Sequence, residues 1–141
     1  MSQSDTRTGD FRCLAGEDLT GMEGRVLKLT HDGGVAEAVL PSDNGDYALW
    51  VLLNGAVDGE NVDVRPLAPC RNVRLKLKGA CNPGDVLVPA DVGTAGDRGM
   101  VRALPADAGT YRGLCVAEEA GVDGQLVLAR PALIGLVTVA G

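Results

Sequence analysis

The side chains that could carry catalysis are few and lie far apart along the chain. His31 is the only histidine, and it falls in a glycine-rich stretch where an exposed loop is expected. As a general base it would need an orienting carboxylate, and Asp32 is merely its neighbour. The three serines, at positions 2, 4 and 42, do not stand in the G-x-S-x-G setting of a nucleophile elbow. These residues favour a protein that is not an enzyme.

Metal and cofactor sites are equally weak in the sequence. The four cysteines are widely separated, whereas zinc ligands usually come in pairs two to four residues apart; they are Cys13, Cys70, Cys81 and Cys115. We expect free, buried thiols. Glu118 and Glu119, followed by Asp123, could hold a cation, but acids in turns are more often simply solvated. The stretch Gly93–Gly99 lacks the Lys-Ser/Thr ending of a phosphate loop. No cofactor and no metal are expected.

Composition and charge exclude several classes of protein. The 141 residues include 20 glycines and 7 prolines, and 45% are hydrophobic but only 3% aromatic. This apolar content is too high for simple disorder. With 13 basic and 19 acidic residues the net charge is −6, so strong nucleic-acid binding through a basic surface is not expected. No run is long and apolar enough for a membrane helix or a secretory signal, which favours a soluble protein made in a cytoplasm.

The order of patterns along the chain predicts an all-β fold. Alternating or apolar runs are separated by turn signals, and no segment has a long helical period. The stretch His31–Gly34 predicts a hairpin loop between Val26–Thr30 and Val35–Leu40. Further strands are expected at Tyr47–Leu53, Asn61–Leu67, Val73–Lys78, Val86–Val88, Met100–Leu104, Arg112–Ala117, Gln125–Ala129 and Leu133–Val139. Short helices are allowed only within Gly16–Gly21 or around Val116–Ala120.

The two halves of the chain resemble each other. Gly24-Arg25-Val26-Leu27 matches Gly84-Asp85-Val86-Leu87, and Leu-Pro, Tyr, Asp-Gly and Arg-Pro follow in the same order in both halves. Repetition in a β protein suggests two similar units packed together or closed into one barrel. We therefore expect a single β domain over 13–141, with halves at roughly 24–69 and 84–133.

Both ends of the chain have features typical of contacts with other protein chains. Residues 1–12 are polar and are expected to form an extended arm held by a partner, with Arg7, Asp10, Phe11 and Arg12 as its contact residues. The apolar tail would invite aggregation as an unprotected edge strand. It is therefore either a core strand, the reading favoured here, or a subunit contact made by Leu133, Ile134, Leu136 and Val137. Trp50 lies in the most hydrophobic run and is expected in the core.

The order of these signals resembles that of small capsid decoration, or cement, proteins of tailed phages. The resemblance is carried by Ala15–Gly24 leading into Val26–Thr30, by the Gly33-Gly34 hairpin, and by Leu52–Gly55, Gly59–Val64, Pro83–Leu87 and Gly113–Glu118. It covers Phe11–Ala129. Each motif consists of residues that are common in turns and is weak evidence alone. The order and spacing of the motifs carry the resemblance.

The resemblance implies a compact β-barrel or β-tulip-like domain of short antiparallel strands on the outside of a capsid. It also implies bridging of major capsid protein subunits, often as a homo-oligomer, with a trimer favoured, and an N-terminal arm that pairs with the shell. That arm maps onto Met1–Arg12. The expected location is the exterior of the virion, after synthesis in the host cytoplasm.

Two alternatives come from other classes of protein. One is a cytoplasmic small-molecule or metal-binding β-barrel that uses the acidic loops at Asp91–Asp97 and Glu118–Asp123. The other is an enzyme subunit whose active site forms between chains, with His31 or Cys115 contributed in trans.

Overall fold

The fold is all-β, as the sequence predicts. The computed structural model describes residues 9–141, without the side chain of Leu133. Ten strands and one short 3-10 helix, Ala95–Asp97, make up this part of the chain. The strands are β1 Phe11–Ala15, β2 Val26–Asp32, β3 Val35–Val39, β4 Trp50–Asn54, β5 Asn61–Pro66, β6 Val73–Lys76, β7 Val86–Pro89, β8 Val101–Ala103, β9 Gly109–Ala117 and β10 Leu126–Val139. Within the described residues no helix has the length and apolar character needed to cross a bilayer.

The first five strands close into a barrel in the order β1-β3-β2-β4-β5. Strand β1 runs parallel to β3 and antiparallel to β5, so one of the pairings departs from the expected antiparallel pattern. The predicted hairpin joins β2 to β3 with Asp32 opposite Val35. Its two loop residues, Gly33 and Gly34, have φ of 57° and 87°, the combination that a tight two-residue hairpin turn requires. Apolar side chains that alternate along these strands fill the barrel, among them Leu27, Leu52 and Val64.

The last five strands form a second sheet in the order β6-β10-β9-β7-β8. A single parallel bridge between Leu77 and Val101 brings the two ends of this sheet together. Its core includes Leu75, Leu87 and Val127, each fully buried.

The strand pairings of the first half recur in the second. In the first half β1 pairs with β3 and β5, β2 with β3 and β4, and β4 with β5. In the second half Leu77, the residue after β6, bridges to β8, while β6 pairs with β10, β7 with β8 and β9, and β9 with β10. In each half the first of these pairings is parallel and the others are antiparallel. The sequence repeat therefore coincides with a repeat of topology.

Individual backbone hydrogen bonds repeat as well. The amide of Gly24 donates to the Leu52 carbonyl at 3.0 Å, and that of Gly84 donates to the Ala117 carbonyl at 2.8 Å. Both glycines have φ near +90°, a conformation that side chains with a Cβ rarely adopt. The repeated Gly-x-Val-Leu motif therefore has a physical reason, since it starts the equivalent strands β2 and β7.

The two halves pack against each other through a shared core. Val26, Ala48 and Val51 of the first half belong to the same buried cluster as the interior of the second half. At the edge of this contact, the Arg98 guanidinium donates to the carbonyls of Leu40 and Pro41 at 3.1 and 3.0 Å. These contacts join the two halves into one packed body.

Some expected elements differ from those observed. Strand β1 had no counterpart in the sequence patterns, and the two strands expected near the C-terminus form one strand, β10, with a bulge between Pro131 and Gly135. The short helices are absent from their expected places: 16–21 is bends and turns, and Val116 and Ala117 lie in β9. Trp50 is half-buried and packs on the core of the first barrel.

Candidate docking surface

His31 and Cys115, the residues considered for catalysis, lie in different halves of the fold and differ in burial. His31 is exposed, and its Nδ1 accepts a hydrogen bond from the Gly34 amide at 3.1 Å within the hairpin turn. Cys115 is fully buried, and burial raises the pKa of its thiol to about 12. Cys13 and Cys81 are also buried, but Cys70 is exposed, so the expectation of a buried thiol is wrong at that position. The reason is that Cys70 lies in the loop between β5 and β6, outside both strands.

The acidic loops hold their carboxylates in intramolecular hydrogen bonds. Asp91 accepts from the Gly93 amide at 3.0 Å, and Asp123 accepts from the Gly79 amide at 2.8 Å. Glu119 accepts from Arg74 and from the Leu128 amide. Across residues 9–141, no group of three or more His, Cys, Asp or Glu residues is placed to hold a metal ion.

Of the residues expected in the N-terminal arm, those after Asp10 belong to the first strand of the barrel. Phe11 and Arg12 lie in β1, where they pair with Val64 and Asp63, so the expected arm boundary after Arg12 is wrong. The reason is that Phe11 packs on the barrel core and β1 closes the barrel between β3 and β5. Arg7 lies outside the described residues.

Two ion pairs fix this end of the chain on the barrel. Asp10 receives two hydrogen bonds from Arg65, at 2.7 and 2.9 Å, and these lower the pKa of its carboxyl. Asp63 accepts from Asn54 at 3.0 Å and from Arg12 at 3.1 Å, and both bonds lower its pKa. Asp10 and Arg12 are therefore engaged within the chain itself.

The C-terminal half of β10 forms a two-stranded extension with the start of β9. Gly135–Val139 pairs with Gly109–Gly113, and we call these two segments the C-terminal ribbon. On its other edge β10 pairs with β6 only as far as Ala129, so within the described residues no strand covers that edge from position 130 onward.

The ribbon and the bulge beside it expose part of the tail that was expected in the core. Ile134 is 37% exposed and Leu136 is 55% exposed, while Val137 is half-buried. The favoured core reading is thus wrong for Ile134 and Leu136. The reason is that this part of β10 has run past the end of β6 and pairs with β9 alone within the described residues. For Leu133 the structure describes the backbone alone.

A recess beside the ribbon is walled by residues from both halves. It has a volume of about 160 Å³ and is lined by Tyr47, Leu49, Arg112, Gly113, Ala132 and Gly135. The Arg112 guanidinium stacks 4.1 Å from the centre of the Tyr47 ring and also donates to the Gly45 carbonyl at 2.8 Å. Tyr47 was expected to begin a buried strand; it is 65% exposed instead, and β4 starts at Trp50.

The loop that carries Tyr47 is held in place by Asp46. Its carboxylate lies 2.9 Å from the Lys28 ammonium and accepts from the amides of Ser42 and Asp43 at 2.8 and 3.1 Å. Burial works against ionisation of Asp46, but these hydrogen bonds prevail, so its pKa lies below the ordinary 3.8. The recess wall therefore depends on an ionised carboxylate.

Acidification is expected to remove this contribution to stability. Because the pKa of Asp46 is lowered by folding, its contribution is present above pH 3.8 and is lost as pH falls below that value. Asp46→Asn should lower the free energy of unfolding by about 1.5–3 kcal/mol at neutral pH, the range for hydrogen bonds to charged groups. Urea unfolding of both proteins across pH checks this. The difference between them should shrink below pH 3.8, and a constant difference would contradict it.

A larger recess lies at the junction of the two halves on another face. It has a volume of about 420 Å³ and an apolar floor that includes Val51 and Val73, with Arg65, Arg71, Arg74 and Glu23 at its rim. Two of these arginines are already paired, Arg65 with Asp10 and Arg74 with Glu119. Arg71 also lines this recess, and it takes part in no ion pair within the described residues.

Comparison with family models and with curated proteins finds no match. Comparison with solved structures does. The chain resembles the base of a phage head fibre. One match is to the crystal structure of head fiber gp8.5 N base in bacteriophage phi29, with a TM-score of 0.64 and 21% sequence identity. The likeness covers 87% of this chain and 92% of the gp8.5 base, so both halves of the fold take part. At 21% identity, the likeness to the gp8.5 base is evidence about the fold of this chain alone.

Proposed function

We propose that the chain is a structural, non-enzymatic protein of a tailed-phage head. The observation that carries this proposal is the likeness to the base of a head fibre over 87% of the chain. In finer terms, we propose a decoration protein that binds the outer surface of the assembled head and bridges major capsid protein subunits. The order of turn and strand motifs, which resembles that of capsid decoration proteins, is the reason for proposing this finer role.

Features of the fold support a role in bridging capsid subunits. The barrel and the second sheet share a buried cluster and are joined by the hydrogen bonds of Arg98, which gives a rigid body able to span the distance between two attachment points. Rigid linkage matters because two weak contacts made by one body add their free energies only when both can be engaged at once. We propose that residues 1–8 contribute one contact and that the rest of the surface contributes the other.

Sedimentation with phage heads tests this proposal. Full-length protein is mixed with purified expanded heads, or with unexpanded heads, of the phage that encodes it, and the bound fraction is measured in the pellet. A protein that bridges two capsid subunits can contact both at once only when they have the spacing of the expanded head. We therefore expect binding to expanded heads and little binding to unexpanded ones. Protein that stays in the supernatant with both kinds of head would contradict the proposal.

A further inference from the structure

We propose that the larger recess, at the junction of the two halves, binds an acidic segment of a partner protein. The segment would place a carboxylate on the arginines of the rim and an apolar side chain on the floor. We call this site the junction recess. Its volume of about 420 Å³ lies within the range of ligand pockets, and such sites often lie between two packed units.

Comparison of the two halves shows why an arginine faces an apolar floor here. Arg65 and Arg130 are equivalent residues of the repeat, and each lies next in sequence to a proline. Arg65 is opposite a valine of β4, and the position two residues after that valine is Leu53; in the second half the corresponding position is Glu118. Glu118 pairs with Arg130 at 3.2 Å. The first half therefore has a leucine, which lines the recess, where the second half has a carboxylate.

The carboxylate that Arg65 does bind is shared with a second arginine. Asp10 accepts two hydrogen bonds from Arg65, and its side chain is 39% exposed. The pKa of Asp10 is lowered by these hydrogen bonds and, less strongly, by the positive charge of Arg71. Two guanidinium groups thus lie near one exposed carboxylate, which leaves capacity for another.

The remaining charged groups of the rim leave one cation without a partner. Glu23 accepts from the Gly55 amide at 2.8 Å. Glu119 accepts from Arg74 at 3.2 Å and from a backbone amide at 3.0 Å. Arg71, by contrast, makes no ion pair within residues 9–141. The group still able to bind an oppositely charged partner is therefore positive.

The backbone that carries Arg71 is already positioned. Its amide donates to the Ala68 carbonyl at 3.2 Å, which closes a turn between β5 and β6. Pro69 lies inside this turn, and the proline ring restricts the backbone. Asn72, the next residue, also lines the recess and supplies an amide group that can donate to a carboxylate. A positioned rim loses little conformational freedom on binding, which favours association.

The floor favours a protein segment over a simple anion. Leu126 is 41% exposed, and Leu53 and Leu128 are half-buried, so apolar surface remains open beside the arginines. An inorganic anion would leave this surface in water, whereas a segment with an acidic and an apolar side chain would cover both parts. The net charge of −6 opposes the approach of such a segment from a distance. At ~0.15 M salt, charges beyond about 8 Å are largely screened, so the local rim decides the contact.

Nuclear magnetic resonance of the full chain tests this site. The probe is a mixture of short peptides made of glutamate and leucine in random order. We expect the amide signals of residues 51–53 and 71–74 to shift as the probe is added. Arg71→Glu should raise the apparent dissociation constant at least about tenfold, the equivalent of one hydrogen bond to a charged group. Leu53→Glu, which gives the first half the carboxylate of the second, should also weaken binding.

Lys78→Glu is the matched control for charge. It changes the net charge by the same amount, its side chain is 45% exposed, and it does not line the recess, so it should bind the peptides as the native chain does. Three results would overturn the site: no shift at the recess, native affinity in both Arg71→Glu and Leu53→Glu, or equal binding of peptides made of lysine and leucine. Equal shifts with free glutamate would reduce it to a site for small anions and would also count against the proposal.

That the acidic segment belongs to the capsid rests on the proposed function, and the two can fail separately. Arg71→Glu should lower the fraction of protein that pellets with expanded heads, and Lys78→Glu should not. A native chain that binds the peptides at the recess but never pellets with heads would refute the head role alone. A native chain that pellets with heads but does not bind the peptides would refute the junction recess alone.

Discussion

Replacing Leu87 by alanine is expected to lower the free energy of unfolding by about 2–5 kcal/mol, and replacing Leu27 should have a similar effect. Both side chains are fully buried, one in each half, and they occupy equivalent places in the repeated Gly-x-Val-Leu motif. Each truncation leaves a cavity in a closely packed core, which costs more than the loss of apolar contact alone. Chemical denaturation followed by circular dichroism measures both effects.

The same experiment asks whether the two halves unfold together. Because Val26, Ala48 and Val51 are buried with the core of the second half, we expect one cooperative transition that either substitution shifts as a whole. Leu126→Ala is the matched control, since Leu126 is 41% exposed and should lose less than about 1 kcal/mol. Two separate transitions, each shifted by only one of the substitutions, would show that the halves are independent.

Two truncations of the N-terminus should have very different consequences. Removing residues 1–8 should leave the melting temperature unchanged and abolish binding to expanded heads, because we place the partner contact in this segment. Removing residues 1–12 should in addition lower the melting temperature. It deletes Phe11 and Arg12 from β1 and breaks the paired bonds between Asp10 and Arg65.

The contrast between the two truncations separates attachment from folding. Thermal unfolding and sedimentation with heads are measured on both variants and on the full chain. Arg65→Ala serves as a control that removes the Asp10 pairing while residues 1–8 stay intact, and it should still bind heads. A chain without residues 1–8 that binds heads at the level of the full protein would refute the arm as an attachment point.

Much of the fold could be predicted because local patterns agree with it. The Gly33-Gly34 turn between two alternating runs specifies a hairpin without help from the rest of the chain, and the hairpin is present. The recurrence of Gly-x-Val-Leu reflects a backbone conformation needed twice, at Gly24 and Gly84. Strand β1 was missed because Leu14 interrupts the alternation of apolar and polar residues in Phe11–Ala15 and a polar stretch precedes it. The strand is held by pairing with strands farther along the chain.

The candidate docking surface was only partly predictable, because it too depends on contacts between distant parts of the chain. The tail residues Ile134 and Leu136 drew notice because an uncharged apolar run is unusual at an edge, but their exposure depends on β6 ending early. The recess had no signal in the sequence, since Tyr47 and Arg112 meet only when the two halves pack. Contacts between the two halves depend on how their surfaces pack together. The pattern of residues along a single strand carries little information about such contacts.

Imaging of decorated heads by electron microscopy tests the central claim most directly. Expanded heads are incubated with the full chain and reconstructed with their symmetry imposed. We expect density for the barrel and its joined second sheet on the outer surface, at symmetry-related positions that each contact neighbouring capsid subunits. Heads that stay bare at saturating protein, or density confined to the interior, would contradict it.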